Sequence, residues 1–178
     1  MELGEQVIRE MERLWRKSIE DMHKGVVREY AATLVEEQDG KLKLVNPVEG
    51  TSRGVAPNLE IPEGVRFVGT FHTHPYEDGT TAAFSGQDIA ASLAHRERIS
   101  LVRSGDDVFA LVRTDKTLEK VNTSRVNREF GEEVRKHLDK TGVSFSEAVY
   151  LANIELCSKH GLAFYRGRGG KLKEVYVP

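Results

Sequence analysis

The hydrophobic pattern of the first third of the chain predicts one helix followed by three strands. Apolar residues recur at three- and four-residue steps over residues 4–23, the spacing of an amphipathic helix, and Gly25 ends it. Three apolar stretches of strand length follow, at residues 26–35, 41–45 and 65–71. A turn at 36–40 joins the first two strands as a hairpin, and the segment 49–64, rich in glycine and proline, predicts a loop before the third.

The rest of the chain predicts three more helices and further strands. The helices are expected at residues 88–95, 125–140 and 145–159. Strands are expected at residues 99–103, 108–113 and 118–121, with a final hairpin over 162–177. Ser144 and Glu147 form a capping box for the last helix, which Gly161 ends. The expected fold is therefore α/β or α+β, with helices packed on a sheet of five or more strands.

Composition leaves this fold unchanged and limits the functional classes. The 178 residues fit one domain, and 39% hydrophobic with 30% charged residues is usual for a soluble globular protein. A net charge of −2 provides no basic field that would draw the chain to nucleic acid or to a membrane surface. A single cysteine, Cys157, excludes an intrachain disulfide and a cysteine-based zinc site. With no signal-peptide pattern and no long apolar run, the expected location is cytoplasmic.

The segment with candidate chemistry is residues 72–88, HTHPYEDGTTAAFSGQD. His72 and His74 lie at the end of an apolar strand, where side chains two residues apart point to the same side. Pro75 stops the strand, and Asp88 begins a helix from which its carboxylate can point back. Two imidazoles and one carboxylate are a three-ligand set for zinc that leaves a fourth position for water, as in catalytic zinc sites.

A His-x-His pair alone is weak evidence, because two half-buried histidines at a strand end are the commoner arrangement. The other histidines considered, His95, His137 and His160, lie on or at the end of predicted helices and are interpreted as surface or packing residues. Cys157 lies on an apolar helix face and is expected in the core. The interpretation as a metal site therefore depends on the wider pattern around the pair.

That wider pattern resembles the JAMM motif, the signature of the JAB/MPN (MPN+) family of zinc metallopeptidases. The motif consists of an upstream Glu, then His-(Ser/Thr)-His-Pro, a short loop and Ser-x-x-Asp. The chain has His72-Thr73-His74-Pro75 followed by Ser85-Gly86-Gln87-Asp88, with an apolar strand before the first group and a helix after the second. The resemblance covers about residues 26–121 and leaves the last third of the chain outside it.

The resemblance implies an α/β fold of the cytidine-deaminase-like MPN type, with a central mixed sheet flanked by helices. Residues 1–178 would be a single JAB/MPN catalytic domain with its core at about 26–121, and 122–178 would be a C-terminal helical extension and hairpin. It also implies a Zn²⁺ cofactor and roles for five residues. These are the metal ligands His72, His74 and Asp88, the general base Glu29 and the oxyanion donor Ser85.

Glu29 is the least direct of these assignments. The family's Glu precedes a short strand of small and apolar residues, and Glu29 opens such a stretch on the first predicted strand, EYAATL. The neighbouring acids Glu36 and Glu37 fall in or near the predicted turn and are expected to be solvated. The alternative for Glu29 is an exposed acidic residue paired with Arg28 or another cation.

The chain departs from the family pattern between the two halves of the motif. Residues 75–84 form a loop of ten residues, longer than is common in the family. Within it, Asp78-Gly79-Thr80-Thr81 predicts a turn at the rim of the site. This departure concerns the fit of a substrate more than the binding of a metal.

Three functions are compatible with these residues. The first is a deubiquitinase-like isopeptidase, which cleaves the amide between the C-terminus of a ubiquitin-like modifier and a lysine and holds the modifier's tail at segments 50–58 and 76–84. The second is the same chemistry on small sulfur-carrier proteins or other peptides. The third is a non-catalytic MPN scaffold, against which the complete ligand set argues. The partner is then a ubiquitin-like protein or peptide, and helix 4–23 leaves a homodimer open.

Overall fold

The computed structural model describes the backbone of residues 1–178 and all side chains except that of Thr141, and within these residues it contains four helices and seven strands. The helices are α1 (Glu5–His23), α2 (Gly86–Ala94), α3 (Thr123–Thr141) and α4 (Phe145–His160). The strands are β1 (Tyr30–Glu36), β2 (Leu42–Glu49), β3 (Arg66–Thr73), β4 (Ile99–Ser104), β5 (Asp107–Arg113), β6 (Leu162–Arg168) and β7 (Lys171–Tyr176).

All seven strands belong to one sheet in the order β2-β1-β3-β4-β5-β6-β7. Of the described strand pairs, β3 and β4 run parallel and the others run antiparallel, so the sheet is mixed. Helix α2 forms the crossover between the two parallel strands, which is the connection that parallel pairing requires. The expectation of an α/β fold with a mixed sheet flanked by helices is confirmed.

One face of the sheet is covered by α1. The predicted amphipathic stripe is present, and Val7, Met11 and Leu14 are buried against Ala32 and Leu34 of β1, together with residues of the neighbouring strands. Gly25 has a positive φ of 81° just after the helix, a conformation that glycine adopts without strain, and turns the chain toward β1. The packing of α1 against the sheet thus follows directly from the helical spacing of its apolar residues.

Helices α2, α3 and α4 cover the opposite face. Their core includes Ile89 of α2, Phe130 of α3 and Leu156 of α4, which pack with Phe109 and Phe164 of the sheet. Strand β6 pairs with β5, so the C-terminal residues 162–176 extend the same sheet that carries the histidines. The final hairpin turns at Gly169, as the Gly-Arg-Gly-Gly segment predicts.

Four predicted elements differ from the structure. Strand β2 runs over Leu42–Glu49, beyond the predicted end at residue 45. The first strand begins at Tyr30, because residues 26–29 are needed to cross from the end of α1 to the sheet. Helix α2 begins at Gly86, two residues before Asp88, because Ser85 is the residue that caps it. Residues 118–121 form no strand in the structure; Leu118 instead donates its backbone N–H to the carbonyl oxygen of His160, and its side chain is exposed.

None of the helices in the described part of the chain has both the length and the apolar character that crossing a lipid bilayer demands.

Candidate metal centre

The two histidines lie at the carboxyl end of β3, and the strand directs them to the face opposite α1. Thr73, between them, points toward α1, where its hydroxyl contacts the Ser18 hydroxyl at 2.7 Å and accepts the Tyr30 N–H at 3.0 Å. Because side chains alternate along an extended chain, anchoring Thr73 on one face places His72 and His74 together on the other. Their Nε2 atoms are 3.0 Å apart.

The tautomer of His74 is set by its backbone neighbours. Its Nδ1 lies 3.2 Å from the carbonyl oxygen of Ala82, the geometry of an Nδ1–H donor, which leaves the Nε2 lone pair facing the site. The Ser104 hydroxyl donates to the His74 carbonyl at 2.8 Å and accepts the Ala82 N–H at 3.0 Å. This hydroxyl ties the end of β3 to the loop that follows it.

Asp88 reaches the histidines from the first turn of α2. Its Oδ2 atom lies 3.2 Å from Nε2 of His72 and 3.2 Å from Nε2 of His74. The same atom accepts the Ser85 N–H at 2.8 Å, while the Ser85 hydroxyl accepts the Asp88 N–H at 3.1 Å. This reciprocal capping box therefore fixes both the start of the helix and the direction of the carboxylate.

The three atoms have the spacing of a zinc site. The triangle formed by two Nε2 atoms and Oδ2 has sides of 3.0, 3.2 and 3.2 Å. Ligands at bond lengths of about 2.0–2.1 Å around tetrahedral zinc lie about 3.3 Å from one another. The residues present thus fit a small divalent ion with one open coordination position, the donor set of catalytic zinc sites.

Electrostatics of the metal-free site agree with this geometry. Although burial disfavours a charged imidazole, the hydrogen bond to Asp88 and its charge raise the pKa of His74 to about 9. Burial opposes ionisation of Asp88 as well, but the charge and hydrogen bond of His72, with those of His74, hold the pKa of this carboxyl well below its usual range. A positive charge among the three ligands is therefore favoured.

Glu29 lies beside this cluster as the residue immediately before β1. Glu29, His72 and His74 each offer one ligand atom within 4.8 Å of the others, so this group too can hold a metal ion. Its backbone pairs with the loop, donating to Thr51 at 3.2 Å and accepting from Gly50 at 2.8 Å. Burial raises the pKa of the Glu29 carboxyl, which moves it toward the neutral range where a general base works best.

All five residues predicted from the sequence line one cavity of about 460 Å³. The structure brings together His72, His74, Asp88, Glu29 and Ser85 from three separate segments. One wall is the loop following β2, where the Thr33 hydroxyl donates to the carbonyl oxygen of Asn58 at 2.5 Å and holds the loop over β1. The long loop does contain a turn, but it lies two residues earlier than predicted, over residues 76–79, where Gly79 donates to the Tyr76 carbonyl at 3.1 Å.

Several lining residues were missed by sequence reasoning. His95 is exposed, as expected of a surface residue, but it also lines the cavity, because the short helix α2 ends at the cavity wall. Glu97 is buried there and accepts the Thr70 hydroxyl at 2.6 Å, and burial raises the pKa of its carboxyl. The C-terminal helices contribute Phe130, Phe145 and Val149. No local sequence pattern marks these residues, since only tertiary packing brings them to the site.

Comparison of the chain with protein-family models, with curated proteins and with solved structures gives no match.

Proposed function

We propose that the chain is a zinc-dependent metallopeptidase of the JAMM type with an MPN-type fold. It hydrolyses an isopeptide or peptide bond at the C-terminus of a ubiquitin-like modifier. The observation that carries the proposal is the triangle of His72, His74 and Asp88 atoms, 3.0–3.2 Å on a side, next to the half-buried carboxylate of Glu29 in an open cavity. The resemblance to the JAMM motif supplies the reaction class for this arrangement.

The three ligands and the general base have separate tasks. His72, His74 and Asp88 hold the metal; when bound, zinc polarises the scissile carbonyl and activates water near neutral pH. The carboxylate of Glu29 accepts the proton of the attacking water and passes it to the leaving amine. Burial raises the pKa of the Glu29 carboxyl above its ordinary value, which makes the carboxylate a stronger base.

Ser85 stabilises the negative charge that develops on the carbonyl oxygen. The Ser85 oxygen accepts the Asp88 N–H, so the hydroxyl proton is left to donate into the cavity that Ser85 lines. A donor of this kind contributes roughly 3 kcal/mol to stabilisation of the transition state. The capping box thus gives Ser85 and Asp88 fixed positions relative to each other, which is what such a donor needs.

The lining of the cavity offers a peptide several contacts besides the metal ligands. It includes the loop residues Ser52 and Arg53 and Phe145 on α4. A C-terminal tail lying in the cavity would place its terminal amide beside His72 and Glu29. The same geometry accepts a small sulfur-carrier protein or another peptide, and the choice among these substrates is an outcome of the experiment.

The test compares cleavage by the wild type and by the variant Glu29→Gln. Both proteins are loaded with one equivalent of zinc and incubated with a panel of ubiquitin-like conjugates, linear fusions and sulfur-carrier proteins. We expect the variant to retain zinc and to lose at least about a hundredfold in kcat, because general-base transfer contributes roughly 10²–10⁴. Glu37→Gln, which neutralises an exposed acid after β1, is the matched control and should cleave normally.

Two results would contradict the proposal. Absence of stoichiometric zinc in the purified and reconstituted protein would remove the metal centre, and the scaffold interpretation would then remain. Cleavage that continues in Glu29→Gln and in the presence of a chelator would assign the activity to another mechanism. Zinc binding without cleavage of any member of the panel would remove the assignment to modifier C-termini.

A further inference from the structure

The metal cavity has an apolar end that its proposed chemistry does not use. Four large apolar side chains, three of them on α3 and α4, form it, and this group is called the apolar subsite: Phe84, Phe130, Phe145 and Val149. Three of them are buried, whereas Phe145 is 51% exposed. Of the seven large hydrophobic side chains that are exposed in the described part of the chain, Phe145 and Tyr76 line this cavity.

The exposure of Phe145 is a consequence of its place in the fold. Ser144 caps α4 by accepting the Glu147 N–H at 3.2 Å, which makes Phe145 the first helical residue, at the mouth of the cavity. Most of its ring remains in water, so the ring adds little to the stability of the folded chain. A ligand that covers the ring would therefore gain apolar contact that folding leaves unused.

The walls of the apolar subsite are held in place before any ligand arrives. The Asn153 amide donates to the Phe84 carbonyl at 2.9 Å and to the Val149 carbonyl at 2.8 Å, which ties α4 to the segment carrying Ser85. Gly86 permits close approach of α3, since a Cβ there would lie 2.9 Å from the Cβ of Phe130. A preformed site loses less conformational entropy on binding than one that must be ordered.

We propose that the apolar subsite binds an uncharged aliphatic or aromatic side chain of the substrate segment next to the scissile bond. The inference rests on the proposed function because it calls the ligand a substrate with a scissile bond. The preference for an apolar side chain depends only on the residues that line the subsite. The group that enters must be apolar, because the described side chains of the subsite carry no charge or hydrogen-bonding group. Of the charged lining residues, Glu29 and Asp88 belong to the metal site, and Arg53 and Glu97 belong to the loop after β2 and to the segment after α2.

Continuity with the metal site identifies the occupant as part of the substrate. Val149 and Phe145 line the same cavity as His72 and Asp88, so a chain that extends through the cavity from the metal site can contact the apolar subsite. Consecutive residues of an extended peptide are about 3.3 Å apart, and alternate side chains face the same wall. One apolar side chain in the correct register is therefore selected, and its neighbours face elsewhere.

The test measures binding rather than cleavage, with hexapeptides of glycine and serine in which a single leucine is moved from position to position. Binding to the zinc-loaded Glu29→Gln protein is followed by chemical-shift changes of its ¹⁵N-labelled backbone. We expect one leucine position to bind about tenfold more tightly than the peptide without leucine, as partial burial of one such side chain provides. Lysine at that position should bring no gain.

Substitutions of cavity residues show which side chain provides the gain in affinity from leucine. Phe145→Ser should remove most of it and Phe145→Leu should keep most of it, while Leu118→Ser, at a residue 49% exposed that does not line the cavity, should leave it unchanged. Equal binding of all peptides, no measurable binding, or a leucine gain that survives Phe145→Ser would overturn the proposal. Because cleavage is not measured, a failure of the proposed hydrolase activity would leave a positive leucine preference standing.

Discussion

The two faces of the sheet are covered in different ways. On one face the single helix α1 buries a continuous apolar stripe, with Leu14 fully inaccessible to water. On the other face α2, α3 and α4 pack together, but the part of the face over the ends of β1 and β3 is covered by loops and contains the cavity. The ionisable groups of the site, Glu29, His72 and Asp88, are only partly covered there.

The difference separates what stabilises the chain from what acts on a ligand. Helix α1 covers its face of the sheet with apolar contacts, all of which come from one stripe of residues at helical spacing. The candidate metal site instead takes polar atoms from three distant segments, and these atoms face the cavity. Substitutions on the two faces should therefore separate stability from metal binding.

The largest expected effect is on the α1 face. Leu14→Ala removes a fully buried side chain and should lower the free energy of unfolding by about 3 kcal/mol, because lost transfer energy and a residual cavity add together. Zinc affinity, measured by competition with a chelator well below the melting temperature, should stay the same. Urea unfolding of the metal-free protein measures the stability.

Leu118→Ala is the control for this experiment, since it deletes the same atoms from a side chain that is 49% exposed. It should change the free energy of unfolding by less than about 0.5 kcal/mol. A loss of zinc affinity in folded Leu14→Ala would show that the two faces are coupled and would end the comparison.

Local patterns explain how much of the site could be predicted from the sequence. His72 and His74 are two residues apart on a strand, and Asp88 is three residues after the cap Ser85, so strand alternation and the capping box determine their directions. Helix α1 was predicted to within a residue for the same reason, because its period of 3.6 residues is a property of the sequence alone.

Contacts between distant segments could not be predicted. Glu29 was expected within a strand, whereas it precedes β1 and is held by Gly50 and Thr51, which no pattern at residue 29 specifies. The role of residues 122–178 was left open, and the structure places Phe130 and Phe145 on the cavity wall. Apolar residues at helical spacing predict a buried face, but they do not say what that face covers.

An intermediate effect is expected from pH on the metal site. The folded pKa of His74, about 9, lies above the 6.5 of a free imidazole, so protonation of His74 stabilises the metal-free protein. This stabilisation is complete below pH 6.5 and is lost as the pH rises through 9. Zinc must displace the same proton, so its affinity should rise about tenfold per pH unit well below pH 9, and about fiftyfold in all from pH 7 to pH 9.

Proton release provides the direct measurement of this effect. Calorimetric titration with zinc at pH 7, in two buffers that differ in ionisation enthalpy, should report about one proton released for each zinc bound. The metal-free protein should also unfold more easily at pH 9.5 than at pH 7, through loss of the same proton. Zinc binding without proton release at pH 7 would show that His74 is neutral in the metal-free protein and contradict the expectation.

The smallest effect concerns Asn153, which ties helix α4 to the segment that carries Ser85 on the cavity face of the sheet. Asn153→Leu leaves the Phe84 carbonyl without its buried donor and should lower the free energy of unfolding by about 1–2 kcal/mol. Because Phe84 precedes Ser85, the capping box that directs Asp88 should loosen as well. Zinc affinity should then fall about tenfold, the usual cost of losing an outer hydrogen bond that orients a ligand.

The matched control for Asn153→Leu is Leu156→Val in the same helix, where the side chain is fully buried and packs within the core. It should cost about 1 kcal/mol of stability and leave zinc affinity unchanged, since it touches neither the Phe84 carbonyl nor the cavity. If zinc affinity falls only in Asn153→Leu, we infer that Asn153 acts by keeping Asp88 in position. If both variants lower zinc affinity equally, general loosening of α4 explains the effect and Asn153 has no positioning role.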